Sequence, residues 1–171
     1  MSKREDQNLR QGPSPERISI LYEHYQSGKF SDAEKLATSI TQEFPRHNFS
    51  WKILGAVLTA RGRGSEAIDV YQTAVALFPA DSEAHNALGV ALKGLGRLDE
   101  AVASYNQAVV LKPDFTEAYS NLGNTLKELG LLDEALESYK QAIALKPGFA
   151  EPHYNLGIAL KELGRLEEAL A

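Results

Sequence analysis

Apolar positions recur along this chain with two periods at once. The short period is helical. In the stretch after residue 81 they fall at Ala84, Ala87, Leu88, Ala91, Leu92 and Leu95, the i, i+3, i+4, i+7 spacing of one face of an amphipathic helix. Gly96 interrupts that face, and a second follows through Ala101, Val102, Tyr105, Ala108, Val109 and Leu111. Pro113 ends it, because proline has no amide hydrogen and disfavours helix in the residue before it. The pattern predicts a helical hairpin.

The long period is 34 residues. Gly55, Gly89, Gly123 and Gly157 stand that far apart, each preceded by a leucine (Leu54, Leu88, Leu122, Leu156). Ala67, Ala101, Ala135 and Ala169 keep the same register, as do Tyr71, Tyr105 and Tyr139, then Ala74, Ala108 and Ala142, and finally Pro79, Pro113 and Pro147. Counting back from the prolines divides the chain into units 14–47, 48–81, 82–115 and 116–149 and a partial unit 150–171, with 1–13 expected as a disordered tail. The third and fourth units agree at 20 of 34 positions, so the hairpin is one supersecondary element copied in series. Such units bury their apolar sides only against their neighbours. The expected fold is all-α, a solenoid of antiparallel helix pairs, which offers a long surface and no closed pocket.

Local chemistry supports the phase. Ser14-Pro15-Glu16 reads as an N-cap, a proline at the first helical position and an acid that complements the helix dipole. Ser31, Ser65, Asp99 and Asp133 stand where the second helices are expected to begin, as caps, and Ser31 with Glu34 fits a capping box. Lys112 and Lys146 fall at helix C-termini, where a cation is favoured. Gly89 with Ala101 is expected to let the two helices of a unit approach, while Tyr105 fills the space between layers. The first unit departs from the others. It has Leu21 in place of the glycine, and Ala37 and Ile40 in place of the tyrosine and alanine, a size swap that preserves volume.

Charge and composition narrow the function. A net charge of −5 and a pI of about 5.4 argue against nucleic acid as a partner, since phosphate binding needs a basic face. With no cysteine there is no disulfide, thiolate metal site or cysteine nucleophile. No apolar run approaches the ~20 residues of a spanning helix, so no membrane insertion is expected. The charged start MSKREDQNLR is not a secretory signal, and the expected location is cytoplasmic. His24, His47, His85 and His153 do not converge. His85 and His153 share a unit position with Trp51 and Tyr119, two layers apart, which suits a groove wall rather than a metal. No phosphate-cradling loop is present, and the acids Glu167 and Glu168 read as dipole partners. The chain is expected to have no catalytic residue, no cofactor and no metal site.

Trp51-Lys52-Ile53-Leu54-Gly55, followed by Leu58, Ala67, Tyr71 and Pro79, resembles the tetratricopeptide (TPR) repeat, and the resemblance extends over 14–171. It implies a right-handed α-solenoid whose first helices line a concave groove. The second, fifth, sixth, ninth, twelfth and thirteenth positions of each unit would face a ligand there. They carry Asn121 and Asn155 at the sixth position, Asn124 at the ninth and Asn86 at the fifth. Lys93, Lys127 and Lys161 occupy the twelfth, and Glu83, Glu117 and Glu151 the second. The asparagines are similar to the ladder in the TPR superhelix of O-GlcNAc transferase, which implies that their amides clasp an extended peptide backbone. Ile53 and Ala87 interrupt the row. The lysines read as a solvated margin, offset by Glu128 and Glu162 beside them. A carboxylate clamp is not matched, because Lys52 is present but Ala56 and Glu117 stand where the clamp needs asparagine and lysine.

The expectation is therefore a non-enzymatic scaffold that binds an extended peptide or a partner helix. Two alternatives stay open. The chain could be the front, substrate-recruiting part of a larger enzyme of glycosyltransferase or sulfotransferase type. It could also stack end to end, because Leu156, Leu160, Leu163, Leu166 and Leu170 would lack a covering helix in the partial last unit.

Overall fold

The computed structural model describes residues 12–165. The tail before Gly12, and Leu166, Glu167, Glu168, Ala169 and Leu170, lie outside them. Among the described residues the chain is all-α, with nine helices and no strand. The helices are α1 (Pro15–Gln26), α2 (Phe30–Glu43), α3 (Asn48–Ala60), α4 (Gly64–Leu77), α5 (Ser82–Gly94), α6 (Leu98–Leu111), α7 (Thr116–Glu128), α8 (Leu132–Leu145) and α9 (Ala150–Glu162). They form two compact units that meet at Pro79 and Ala80 in sequence. In the first, α1 to α4 pack in chain order; in the second, α5 to α9 do the same.

One turn recurs five times and makes the hairpins. Gly28, Gly62, Gly96, Gly130 and Gly164 all have φ between 72° and 78°, the left-handed region that favours glycine. The residue after each donates its amide to a carbonyl five residues back, as Arg97 N does to Leu92 O at 3.0 Å and Leu131 N to Leu126 O at 2.9 Å. This closure satisfies carbonyls left open at the helix end and reverses the chain.

The same turn corrects the expected caps. The residue after the glycine is itself the N-cap: Lys29, Arg63, Arg97 and Leu131, none with a side-chain cap bond. Ser31, Ser65, Asp99 and Asp133 therefore fall inside the first turn. Asp99 and Asp133 act on the helix dipole there rather than as caps. The Ser31–Glu34 box does not form, because Glu34 pairs with Arg61 and, at 2.6 Å, with Arg63. Ser14 does cap α1, accepting from Arg17 N at 3.3 Å, and Asp81 caps α5 through Glu83 N and Ala84 N. Lys112 and Lys146 are the C-caps of α6 and α8. Each ammonium also lies over a ring at the start of the next helix, Lys112 over Phe115 at 4.9 Å and Lys146 over Phe149 at 5.4 Å.

The periodic glycines carry a tyrosine ring. A Cβ on Gly55, Gly89 or Gly123 would stand 2.5, 2.7 or 2.6 Å from Cε1 of Tyr71, Tyr105 or Tyr139, sixteen residues on. At each of these glycines the nearest neighbour within the hairpin is thus a tyrosine ring. Among the described residues nothing lies near the Cβ direction of Gly157. In the first hairpin the same space is filled differently. Leu21, Ala37 and Ile40 are all fully buried where the others use Gly, Tyr and Ala. The leucine supplies the volume that the tyrosine supplies elsewhere.

Candidate functional site

Within the second unit the first helices touch across hairpins, α5 with α7 and α7 with α9, while α6 and α8 have no comparable contact. The stack is narrowest along α5, α7 and α9, so that face is its inner side. All seven polar residues singled out in the sequence lie on these three helices. Asn86 and Lys93 are on α5, Asn121, Asn124 and Lys127 on α7, and Asn155 and Lys161 on α9. All but Lys161 are half-buried.

The asparagines do not form one row. They link in two cross-helix pairs. Asn121 Nδ2 donates to Asn86 Oδ1 at 3.1 Å, and Asn155 Nδ2 donates to Asn124 Oδ1 at 2.9 Å. The second pair sits in a wider network. Asn124 Nδ2 donates to Glu151 Oε1 at 2.9 Å, and Lys127 Nζ donates to Asn155 Oδ1 at 3.3 Å. Lys93 pairs with Glu128 at 2.8 Å, so that carboxylate serves the preceding hairpin's lysine and not its neighbour Lys127. The row of three lysines is therefore not a uniform solvated margin; Lys161 alone of them has no recorded partner among the described residues.

Each primary amide offers two N–H donors and an oxygen with two lone pairs. The pairing uses part of this. Asn121 keeps its Oδ1 and one N–H, Asn155 keeps one N–H, and Asn86 keeps both of its own. Donors and acceptors alternate on side chains already held in place, which costs less ordering entropy on binding than free side chains would.

The sequence reading missed a residue that supports this face from behind. Tyr139, on α8, sends its hydroxyl to Asn124 Oδ1 at 2.9 Å. The signal was the ninth unit position, where Asn124 is polar and its counterparts Ala56, Val90 and Ile158 are not. Tyr105 meets Val90's hairpin instead. Its hydroxyl is buried with no hydrogen bond, approaching Thr125, whose own proton goes to Asn121 O at 2.8 Å. Opposite outcomes are expected from one substitution. Tyr139→Phe should cost about 1 kcal/mol, whereas Tyr105→Phe should be neutral or stabilising, because it removes a buried hydroxyl that nothing satisfies. Urea unfolding of the two variants checks this, and equal losses would contradict it.

The shared position of Trp51, His85, Tyr119 and His153 has a structural use. Trp51 Nε1 donates to Pro45 O at 2.8 Å, and His153 Nε2 pairs with Pro147 O at the same distance. Both tie the start of a first helix to the proline loop before it. Among the described residues, no group of His, Cys, Asp and Glu is placed to hold a metal, and no helix is long and apolar enough to cross a membrane.

The TPR-repeat family model matches residues 55–96, 94–130 and 123–164. The chain belongs to the TPR repeat family. Solved structures similar to it include a crystal structure of MamA, 26% identical, covering 88% of this chain and 88% of that chain at a TM-score of 0.82. A MamA structure (residues 41 to the end) from Desulfovibrio magneticus RS-1 is 19% identical over 90% of this chain and 87% of that one, with a TM-score of 0.81. YrrB, titled a TPR protein with an unusual peptide-binding site, is 23% identical over 92% and 81%, with a TM-score of 0.76. The last two likenesses concern the fold alone. No curated protein matches the chain. This TPR chain is an all-α solenoid of antiparallel helix pairs.

Proposed function

We infer that the chain is a non-enzymatic interaction scaffold, and that the inner face of α5, α7 and α9 binds an extended segment of a partner protein. One observation carries the reading: four half-buried asparagine amides are oriented by one another and still hold unused donors and acceptors. A peptide backbone presents one donor and one acceptor per residue, so it matches such a surface whatever its side chains. The fold neighbour YrrB carries a peptide-binding site of its own, and the net charge of −5 favours protein over nucleic acid as the ligand.

The test uses peptides selected against the chain from a randomised display library. Asn121→Ala with Asn155→Ala should weaken their binding about tenfold, the loss of one or two net hydrogen bonds, with little change in helicity. N-methylation of the peptide's amides should weaken it comparably. Unchanged affinity in both experiments would remove the assignment.

A further inference from the structure

We propose that the first compact unit carries a binding site of its own, an aromatic seat between α1 and α3 that takes a proline-rich segment in the polyproline II conformation. The seat does not depend on the asparagine face. In this unit too the first helices touch, α1 with α3. Tyr22 of α1 leans on Phe49 of α3 with ring centroids 6.1 Å apart, and Tyr25 on Phe30 at the start of α2 with centroids 6.4 Å apart. An open cavity of about 430 Å³ is lined by Tyr25, Gln26, Phe30 and Ala60. Both tyrosines stand on the side of α1 that α3 covers. Tyr22 meets Phe49 there, and the Tyr25 phenol is near enough to that of Tyr71 to disfavour its phenolate. Tyr22 is nonetheless 45% exposed, so this is the openness of a groove and not of an uncovered end. The scaffold does not require these rings. Tyr25 holds the twelfth unit position, where the other hairpins carry Thr59, Lys93, Lys127 and Lys161, and Phe30 the seventeenth, where they carry Gly64, Leu98 and Leu132.

The lining chooses the occupant. None of its four residues is charged, so a charge seated here would go uncompensated. The polar groups offer donors. Gln26 Nε2 donates to Tyr22 Oη, which leaves the Tyr22 proton and the second Gln26 N–H unused. Tyr25 Oη has no recorded partner among the described residues, while the Thr59 hydroxyl donates to Gly55 O at 2.9 Å. An ordinary extended strand would bring one N–H per residue to a face with few acceptors. A proline-rich segment brings carbonyls and few N–H groups. Its polyproline II helix has no internal hydrogen bonds, so those carbonyls are free to accept. Its pyrrolidine rings pack on aromatic faces, and its stiffness keeps the ordering cost of binding low.

The probes are two labelled, uncharged peptides of about twelve residues, one repeating Pro-Pro-Ser and one Leu-Gly-Ser. At ~3.1 Å per residue the first is long enough to cross two helices packed about 8–10 Å apart. Fluorescence anisotropy with the whole chain should show the proline peptide binding at least about tenfold tighter, whereas a merely greasy seat would favour the leucine peptide. Tyr25→Lys, the residue type that three other hairpins carry at this position, should weaken binding about tenfold and leave urea unfolding close to the parent's. Asn121→Ala with Asn155→Ala should leave it unchanged, because the seat lies in the other compact unit. In the unsubstituted chain the proline peptide should shift the NMR signals of the Tyr22 and Tyr25 rings and not the side-chain amide signals of Asn121 and Asn155. Equal binding of the two peptides, or tyrosine signals that stay in place, overturns the proposal and leaves the reading of α5, α7 and α9 standing. Proline binding that survives in the asparagine variant supports the seat, whatever becomes of the display-selected peptides.

Discussion

Gly123→Leu should lower the stability of the second unit by about 3 kcal/mol, at the upper end of the usual overpacking cost. Even the first added atom has no room, because a Cβ at Gly123 would lie 2.6 Å from Tyr139 Cε1. The gain in helix propensity on replacing glycine, at most about 1 kcal/mol, does not offset that. Nor can the ring retreat. Tyr139 is fully buried and its hydroxyl is tied to Asn124. The first hairpin shows what would relieve the clash, since Leu21, Ala37 and Ile40 already fill the equivalent space without exposure. The triple change Gly123→Leu, Tyr139→Ala and Ala142→Ile copies that solution and should recover more than half of the loss. The remainder reflects the lost bond to Asn124. Urea unfolding of the single and triple variants measures both steps. A single variant as stable as the parent would mean that the ring does not lie on the glycine.

Much of this fold was legible because the period forces it. A glycine every 34 residues, a tyrosine sixteen further on and a proline after that leave little freedom in where helices begin and end. What the sequence misplaced depends on phase finer than the repeat. Serine and aspartate are favoured both as caps and in the first turn, so Ser65 and Asp99 could not be told apart from true caps without knowing that Gly62 and Gly96 turn the chain three residues earlier. Small residues suggest close packing but do not name every partner, and the ring nearest Gly89 belongs to Tyr105.

The candidate site divides in the same way. Unit positions put Asn86, Asn121, Asn124 and Asn155 on one face, which follows from helical period alone. Which amide reaches which depends on the stagger between neighbouring first helices. That stagger set Asn121 against Asn86, and Asn155 against Asn124. Tyr139 was hidden for a related reason: a residue read as filler between layers also reaches the inner face with its hydroxyl.

Raising the pH above 10 should unfold the chain in a transition that coincides with phenolate formation. Burial holds the Tyr71 phenol well above its usual range, to about 12, opposed in part by the nearby Thr59 hydroxyl. Burial raises Tyr105 and Tyr139 too. The carboxylate of Glu128 adds to the first, and those of Glu151, Glu128 and Glu162 to the second, because each disfavours a nearby phenolate. A phenol whose pKa is higher folded than unfolded contributes its full stability below pH 10 and loses it as the pH rises toward the folded value. For Tyr71 alone, the two-unit difference amounts to roughly 3 kcal/mol by pH 12. Each hairpin from the second to the fourth carries one such ring against its glycine, so both compact units share the weakness. Circular dichroism and phenolate absorbance followed together should report a single step for these three residues. Tyr105→Phe should move the midpoint to higher pH. Helicity that persists while all three ionise would show that the rings are not enclosed.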